Sequence, residues 1–273
     1  MGNQKLTEKQ KLPTIKNKTM KNIFLTGIAL SISIATFGWG QTGHRVIGQI
    51  AQNHLSDNAK EALWEIMGHE SLVEASTWMD EIKSDKKYDY ARSWHYVTIP
   101  EGKDYHSSEH EEDGDAYEAI GRMKAILKDP NSTKIQKVEA IRMLTHLVGD
   151  IHQPLHVGNG EDRGGNNVKI KWFYDNSNLH RIWDSEIIDS KQLSYSELSQ
   201  MVDHSLETEQ DILKSTDLDL WVKEAMELRP QIYDIGGAEN LSYEYMYKNW
   251  GTIKIQLHKG GIRLAAILNE IYG

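Results

Sequence analysis

The sequence predicts a mainly α-helical fold. Apolar residues recur at three-and-four spacing along most of the 273 residues, and alternating extended character is confined to one short stretch. No Pro/Gly/Ser-rich linker or fixed-period repeat divides the chain. With 39% hydrophobic and 26% charged residues the composition is globular, and one large domain over residues 39–273 is expected.

Residues 1–38 stand apart, with six Lys and a single Glu. Met20-Lys21-Asn22 precedes an apolar stretch from Ile23 to Ala35, and small residues including Gly38 follow, the three-part layout of a secretory signal peptide. Residues 1–19 read as an upstream extension. The apolar stretch falls short of the roughly 20 residues a membrane span needs. Cleavage before Trp39 and a secreted or periplasmic location are therefore expected in preference to an N-terminal anchor.

The first helix is expected over His44 to Leu55, where Val46, Ile47, Ile50, Ala51 and Leu55 form one apolar stripe. Ser56 caps a second over Asp57 to Met67, which stops at Gly68. Further helices are expected over Leu72 to Lys83, over Ala116 to Leu127 before Asp129-Pro130, and from after Ser132 to about Ile151, ahead of Pro154. Val168 to Tyr174 alternates as a strand and Asp175-Asn176-Ser177-Asn178 reads as a turn, giving a small hairpin. Leu179 to Ile188, Tyr195 to Leu213 and Leu218 to Leu228 read as helices. Leu241 to Ile271 reads as two more, separated at Gly260-Gly261.

Charge and cysteine content narrow the chemistry. Beyond residue 38 the chain carries 25 Lys+Arg against 39 Asp+Glu, a formal charge of −14. That argues against a basic groove as the source of affinity for nucleic acid. If the substrate is a phosphate ester, positive charge must come from elsewhere. With no Cys there is neither disulfide nor thiolate, so a metal must be held by His, Asp and Glu.

The twelve His include several in suggestive company. His44 follows Trp39-Gly40-Gln41-Thr42-Gly43, and cleavage before Trp39 would free an amine and carbonyl able to chelate a metal. Asp80 ends Trp78-Met79-Asp80, and His95 lies in Ser93-Trp94-His95-Tyr96-Val97. His146 and Asp150 are four apart on a predicted helix, so they share a face and can hold one ion, and Pro154 turns His156 back toward them. His180 and Asp184 repeat the spacing. Clustered imidazole and carboxylate donors suit a hydrolytic zinc site rather than a structural finger.

These residues resemble the zinc-dependent single-strand nucleases of the S1/P1 type, whose mainly helical fold is shared with the bacterial zinc phospholipases C. The likeness lies in Trp39 followed five residues later by His44, the His-x-x-x-Asp-x-x-Gln-Pro-Leu-His pattern ending at His156, and the Asn-Leu-His-x-x-Trp-Asp pattern ending at Asp184. It extends through the Lys259 to Ala265 stretch of the last helix. The resemblance implies three Zn2+. Asp80, His95, His146 and Asp150 would hold one; Trp39, His44 and again Asp150 a second, with Asp150 bridging; and His156, His180 and Asp184 a third.

The resemblance further implies hydrolysis of single-stranded DNA and RNA to 5′-phosphorylated nucleotides, with 3′-nucleotidase activity. Hydroxide held by the bridged pair would attack phosphorus in line, giving Asp80 and Asp150 catalytic roles. Lys83 matches a basic catalytic position beside the site, Asn166 of Arg163-Gly164-Gly165-Asn166 a phosphate contact, and Tyr96 an aromatic that stacks a base. Thr98 stands where the family often has an Asp that bonds the base, leaving base preference open. His152 is expected on the helix surface or behind the ligands. His54, His69, His106, His110, His204 and His258 are read as ordinary. A monomeric bacterial relative without a stable protein partner is expected. The alternatives are a zinc phospholipase C of the same fold and a zinc-binding scaffold without turnover.

Overall fold

Side-chain caps set where several of the helices begin. The computed structural model describes residues 38–203 and 213–273. Helix α1 (Gln41–Asn53) carries the His44 stripe, and α2 (Asp57–Met67) starts at Ser56, whose hydroxyl accepts the Ala59 amide. The helix expected over Leu72 to Lys83 is broken into α3 (Leu72–Ala75) and α4 (Trp78–Glu81), followed by 3-10 turns at Ile82–Ser84 and Lys86–His95. The Ser76 hydroxyl at the break donates to the Val73 carbonyl at 2.7 Å, a local bond that competes with helical pairing. Asp115 caps α5 (Ala116–Lys128), and a Thr133–Gln136 capping box opens α6 (Lys134–Ile151).

Two short strands, β1 (Val97–Thr98) and β2 (Val157–Gly158), pair in parallel with Val97 opposite Val157. The hairpin is present but shifted. Strand β3 (Lys169–Trp172) pairs with β4 (Asp175–Asn178), the residues expected to be the turn, and the turn itself is Phe173-Tyr174. Polar composition pointed to a turn at 175–178, yet that segment is solvated strand edge. On its other side β3 pairs in parallel with β5 (Asn240–Leu241).

The stretch expected as one helix over Leu179 to Ile188 consists of α7 (Leu179–Arg181), a π-helical turn at Ile182–Glu186 and α8 (Ile187–Asp189). Helix α9 (Tyr195–Asp203) covers the start of the next. The remainder up to residue 212, including His204, lies outside the described residues. Helices α10 (Leu218–Glu227) and α11 (Arg229–Ile232) lead to the 30-residue α12 (Tyr243–Tyr272). Among the described residues no helix is long and apolar enough to cross a membrane.

The two helices expected at the C-terminus are thus one, and Gly260-Gly261 is a packing site rather than a break. A Cβ on Gly261 would lie 2.5 Å from Ile50 Cβ, and one on Gly260 would lie 3.0 Å from Ile47 Cδ1. The glycines let α12 press directly onto α1, whose Val46, Ile47, Ile50 and Ala51 are fully buried. This contact fixes the face of α1 that carries His44.

Gly261→Val is expected to lower the unfolding free energy by about 1–3 kcal/mol through overpacking, although Val is the better helix former. Urea denaturation measures it, and an unchanged or raised midpoint would show that the two helices do not need this close approach.

Candidate metal centre

Helices α1 and α6 bring His44, His146 and Asp150 together in the protein interior, each with no exposed surface. The i, i+4 spacing works as the sequence suggests: His146 Nε2 lies 3.3 Å from Asp150 Oδ2. The His44 ring stacks on His146 at 3.9 Å between centroids, and its Nε2 is 3.4 Å from Asp150 Oδ1. From the end of the 3-10 run, His95 Nδ1 approaches Asp150 Oδ2 at 2.9 Å and His146 Nε2 at 3.2 Å. Asp80, on α4, reaches His146 Nε2 at 3.6 Å.

The remaining ligand candidates form a neighbouring group. His156 follows Pro154 in a 3-10 turn, with Nδ1 3.8 Å from Asp150 Oδ1 and Nε2 3.8 Å from Asp184 Oδ1. His180 Nε2 lies 3.2 Å from Asp184 Oδ2 across the π-helical turn. The pairing of β1 with β2 joins a strand that begins two residues after His95 to one that directly follows His156, and the Nδ1–H of His156 donates to the His95 carbonyl. Three groups therefore have donor atoms within 4.8 Å of one another: His44/His146/Asp150, Asp80/His95/His146 and His156/His180/Asp184.

Backbone carbonyls aim the imidazoles. His146 Nδ1–H donates to Ser76 at 2.7 Å and His180 Nδ1–H to Gly164 at 2.6 Å, turning each Nε2 toward the carboxylates, as second-shell partners of metal-bound histidines do. The break between α3 and α4 places the Ser76 carbonyl against His146. Gly164 and Gly165 have φ of 60° and 82°, and a Cβ on Gly164 would collide with the Leu155 carbonyl. Only glycine lets this loop close on the segment that carries His156.

Burial governs protonation here. It pushes His95 down to about 4 and also lowers His44 and His156, leaving neutral imidazoles with available lone pairs. Burial alone would raise Asp150, but His146 and His156 hold it well below the usual carboxylate range. Burial also acts to lower His146, yet Asp150 and Asp80 outweigh it and leave His146 raised. A proton on His146 thus faces the carboxylates where a metal would place its own charge.

Several buried polar atoms in this centre have no hydrogen-bond partner: both ring nitrogens of His44, Asp80 Oδ2, Asp150 Oδ1 and His156 Nε2. Such atoms are costly unless a ligand satisfies them, and clustered imidazole and carboxylate donors fit divalent cations. Trp39 is fully buried, with the Gly40 N–H donating to the Asp184 carbonyl at 2.7 Å. Its neighbour Gly38 presses on the centre so closely that a Cβ would overlap Asp150 Oδ1 and lie 2.8 Å from His44 Nε2. The segment joining residues 38 and 39 therefore lies beside the His44–Asp150 pair.

The expected accessory residues also gather nearby. Lys83 Nζ contacts Asp80 Oδ1 at 2.6 Å. Tyr96, Thr98 and Asn166 line a cavity of about 370 Å³ together with His95, His156 and His180. The Tyr96 hydroxyl donates to Glu111 at 3.0 Å, and Asn166 Nδ2 donates to the Arg163 carbonyl at 2.9 Å, so Asn166 both closes its turn and faces the cavity. Glu111 and Arg163 line the same cavity without having been singled out in the sequence. Gln153 was also missed, although it sits inside a quoted pattern: its amide nitrogen donates to Asp184 Oδ1 and its oxygen accepts the Leu155 amide at 2.7 Å.

His152 is buried rather than on the helix surface. It donates from Nδ1 to Val148 at 2.7 Å and accepts from Arg263 Nη1, which is itself paired with Glu224 at 2.7 Å. Of the histidines read as ordinary, His54 pairs with Asp203 at 2.7 Å, and buried His258 lies 3.5 Å from the same carboxylate.

A family model described as S1/P1 Nuclease matches residues 39–273. The chain is 31% identical to Endonuclease 5 of Arabidopsis thaliana, covering 86% of this chain and 90% of that protein. It is 28% identical to Endonuclease 2 of the same plant, with coverages of 86% and 91%. It is 27% identical to Nuclease P1 of Penicillium citrinum, with coverages of 86% and 98%.

Stripping divalent metal with a chelator is expected to lower the thermal midpoint by about 5–10 °C, the effect of one site held at about a hundredfold above its Kd in a domain of this size. Added Zn2+ should restore it. A midpoint indifferent to both treatments would mean that cations do not satisfy the orphaned donors.

Proposed function

Because the chain belongs to the S1/P1 nuclease family and is a hydrolytic nuclease, we propose that it cuts single-stranded DNA and RNA to 5′-phosphorylated nucleotides with three zinc ions, and removes the phosphate of 3′-nucleotides. The observation that carries this reading is the convergence of three His/Asp groups on and beside Asp150, next to a cavity lined by Tyr96 and Asn166. Trp39, His44 and Asp150 would hold one ion, Asp80, His95, His146 and Asp150 a second, and His156, His180 and Asp184 a third. When bound, such ions supply Lewis acidity toward a phosphoryl oxygen and a water acidified toward hydroxide.

The side chains bind and orient. Asp150 turns Oδ1 toward His44 and Oδ2 toward His95 and His146, so one carboxylate serves two adjoining groups. Lys83 holds Asp80 in place through its ammonium and adds positive charge beside the phosphate path. Asn166 spends one amide hydrogen on Arg163 and keeps the other for a phosphate oxygen. Tyr96, anchored by Glu111, offers a ring on which a base can stack irrespective of its identity. A recessed centre with a stacking wall favours an unpaired base that can leave its neighbours, which supports single-strand preference.

Removal of the leader belongs to the same reading. While residue 38 remains attached, the Trp39 nitrogen is an amide without a lone pair to offer, and Gly38 crowds Asp150 and His44. Cleavage before Trp39, during export to the periplasm or medium, would turn that nitrogen into an amine donor. Residues 39–273 would then form the working catalytic domain, acting as a monomer.

The test follows acid-soluble nucleotides released from single-stranded DNA and RNA by protein beginning at Trp39, with and without a chelator. Chelator-sensitive release with 5′-phosphate ends, slower cleavage of duplex, and a loss of at least about a hundredfold in Asp150→Ala are expected. Hydrolysis of phosphatidylcholine without cleavage of nucleic acid would overturn the reading in favour of a phospholipase. A chain retaining residues 1–38 should lose activity and bound zinc, and equal values in both would remove Trp39 from the ligand set.

A further inference from the structure

Two charged side chains stand at the mouth of the cavity beside the metal centre. Glu111 and Arg163 line it together with Tyr96 and Thr98, and both are exposed. Its volume of about 370 Å³ falls within the range of small-ligand pockets. The Tyr96 hydroxyl donates to Glu111 Oε1 at 3.0 Å. Burial and Glu111 push that hydroxyl up to about 12, and Arg163 acts on it in the opposite sense. A carboxylate and a guanidinium therefore meet near the hydroxyl end of the Tyr96 ring. Thr98, the remaining polar side chain on this part of the wall, brings no charge.

Local structure does not call for an arginine here. Arg92, Arg122, Arg142, Arg181 and Arg263 each pair with a carboxylate. Arg163 pairs with none among the described residues, although the chain has an excess of acidic groups. Its φ is 58°, a left-handed conformation that glycine adopts without cost and that Gly164 and Gly165 adopt directly after it. The turn is closed on the Arg163 carbonyl, which accepts from the Asn166 amide and from Asn166 Nδ2, and not on its side chain. Glycine would serve as well for that purpose. Glu111 gives Oε1 to Tyr96 and keeps Oε2 for another donor.

A nucleotide whose phosphate lies at the metal centre turns its sugar inward. A base stacked on Tyr96 then points its far edge toward Glu111 and Arg163. Guanine alone among the common bases presents two neighbouring donor groups there, N1–H and the N2 amino group, next to the acceptor O6. The donors match a carboxylate, and O6 with N7 matches the fork of an arginine. Adenine would set its N1 acceptor against the carboxylate, and each pyrimidine offers a single donor group.

We infer that Glu111 and Arg163 read the edge of a guanine stacked on Tyr96, so that the cavity beside the metal centre prefers guanine to the other bases. The preference rests on the proposed nuclease reading and names the base that its cavity selects. Stacking supplies affinity for any base, and hydrogen bonds to the base edge supply the choice.

The test compares kcat/KM for the dinucleotides GpG, ApA, CpC and UpU, and calorimetric Kd values for 5′-GMP and 5′-AMP. It uses the protein beginning at Trp39, Glu111→Gln, Arg163→Gln and the double variant. GpG is expected to be favoured over ApA by about tenfold, and 5′-GMP to bind more tightly than 5′-AMP by a similar factor. Each single variant should lower both ratios, and the double variant should bring them close to one, whatever happens to the absolute rates. Hypoxanthine in place of guanine, which lacks the N2 amino group, should cost part of the preference in the unaltered protein and none in Glu111→Gln. Equal cleavage and equal binding across the bases would overturn the inference and leave the nuclease reading standing. So would a guanine preference that survives in the double variant. A protein that cleaves no dinucleotide yet holds 5′-GMP in preference to 5′-AMP through Glu111 and Arg163 would contradict the proposed function and uphold the guanine site.

Discussion

Asp150 is a carboxylate with no solvent exposure, faced by His44, His95, His146 and His156 at 2.9–3.8 Å. A buried carboxylate cannot persist without compensating positive charge, and the surrounding elements are arranged around that requirement. Helix α6 supplies Asp150 and His146. Helix α1, pressed into place by the Gly260-Gly261 contact, supplies His44. The short parallel ladder links the segments carrying His95 and His156. Each element is held by ordinary packing, and together they concentrate donors that cations would satisfy.

The centre was more legible in the sequence than the fold around it. His146/Asp150 and His180/Asp184 could be paired from spacing because a helix places i and i+4 on one side, and the π-helical turn at Ile182–Glu186 does not separate the second pair. The meeting of Asp80 and His95 with His146 was different. It depends on the irregular chain from Ser76 to His95, and only the family resemblance suggested it in advance. Gln153 remained without a role because an amide that orients a carboxylate has no spacing rule of its own.

The misplaced boundaries share a cause: local residue preference was outweighed by tertiary contact. Gly260-Gly261 looks like a break until Ile47 and Ile50 occupy the space where side chains would be. Asp175–Asn178 looks like a turn until it pairs with Lys169–Trp172 and leaves the tight connection to Phe173-Tyr174. His152 is open between the helix surface and a place behind the ligands until its bond with Arg263, itself paired with Glu224, sets it in a buried charged network. The partners of Gly260-Gly261 and of His152 lie far away in sequence, where no local pattern reveals them, and the hairpin, local as it is, closes through a turn of two aromatics that carry no turn signature.

An acidic chain that acts on a polyanion must localise its positive charge. In the proposed function, cations at Asp150 provide it for the reacting phosphate. The measurement that tests the metal assignment most directly is anomalous diffraction at the zinc edge from crystals of the chain beginning at Trp39. Three peaks, two flanking Asp150 and one among His156, His180 and Asp184, are predicted. A zinc-loaded crystal with no anomalous density beside Asp150 would contradict the account.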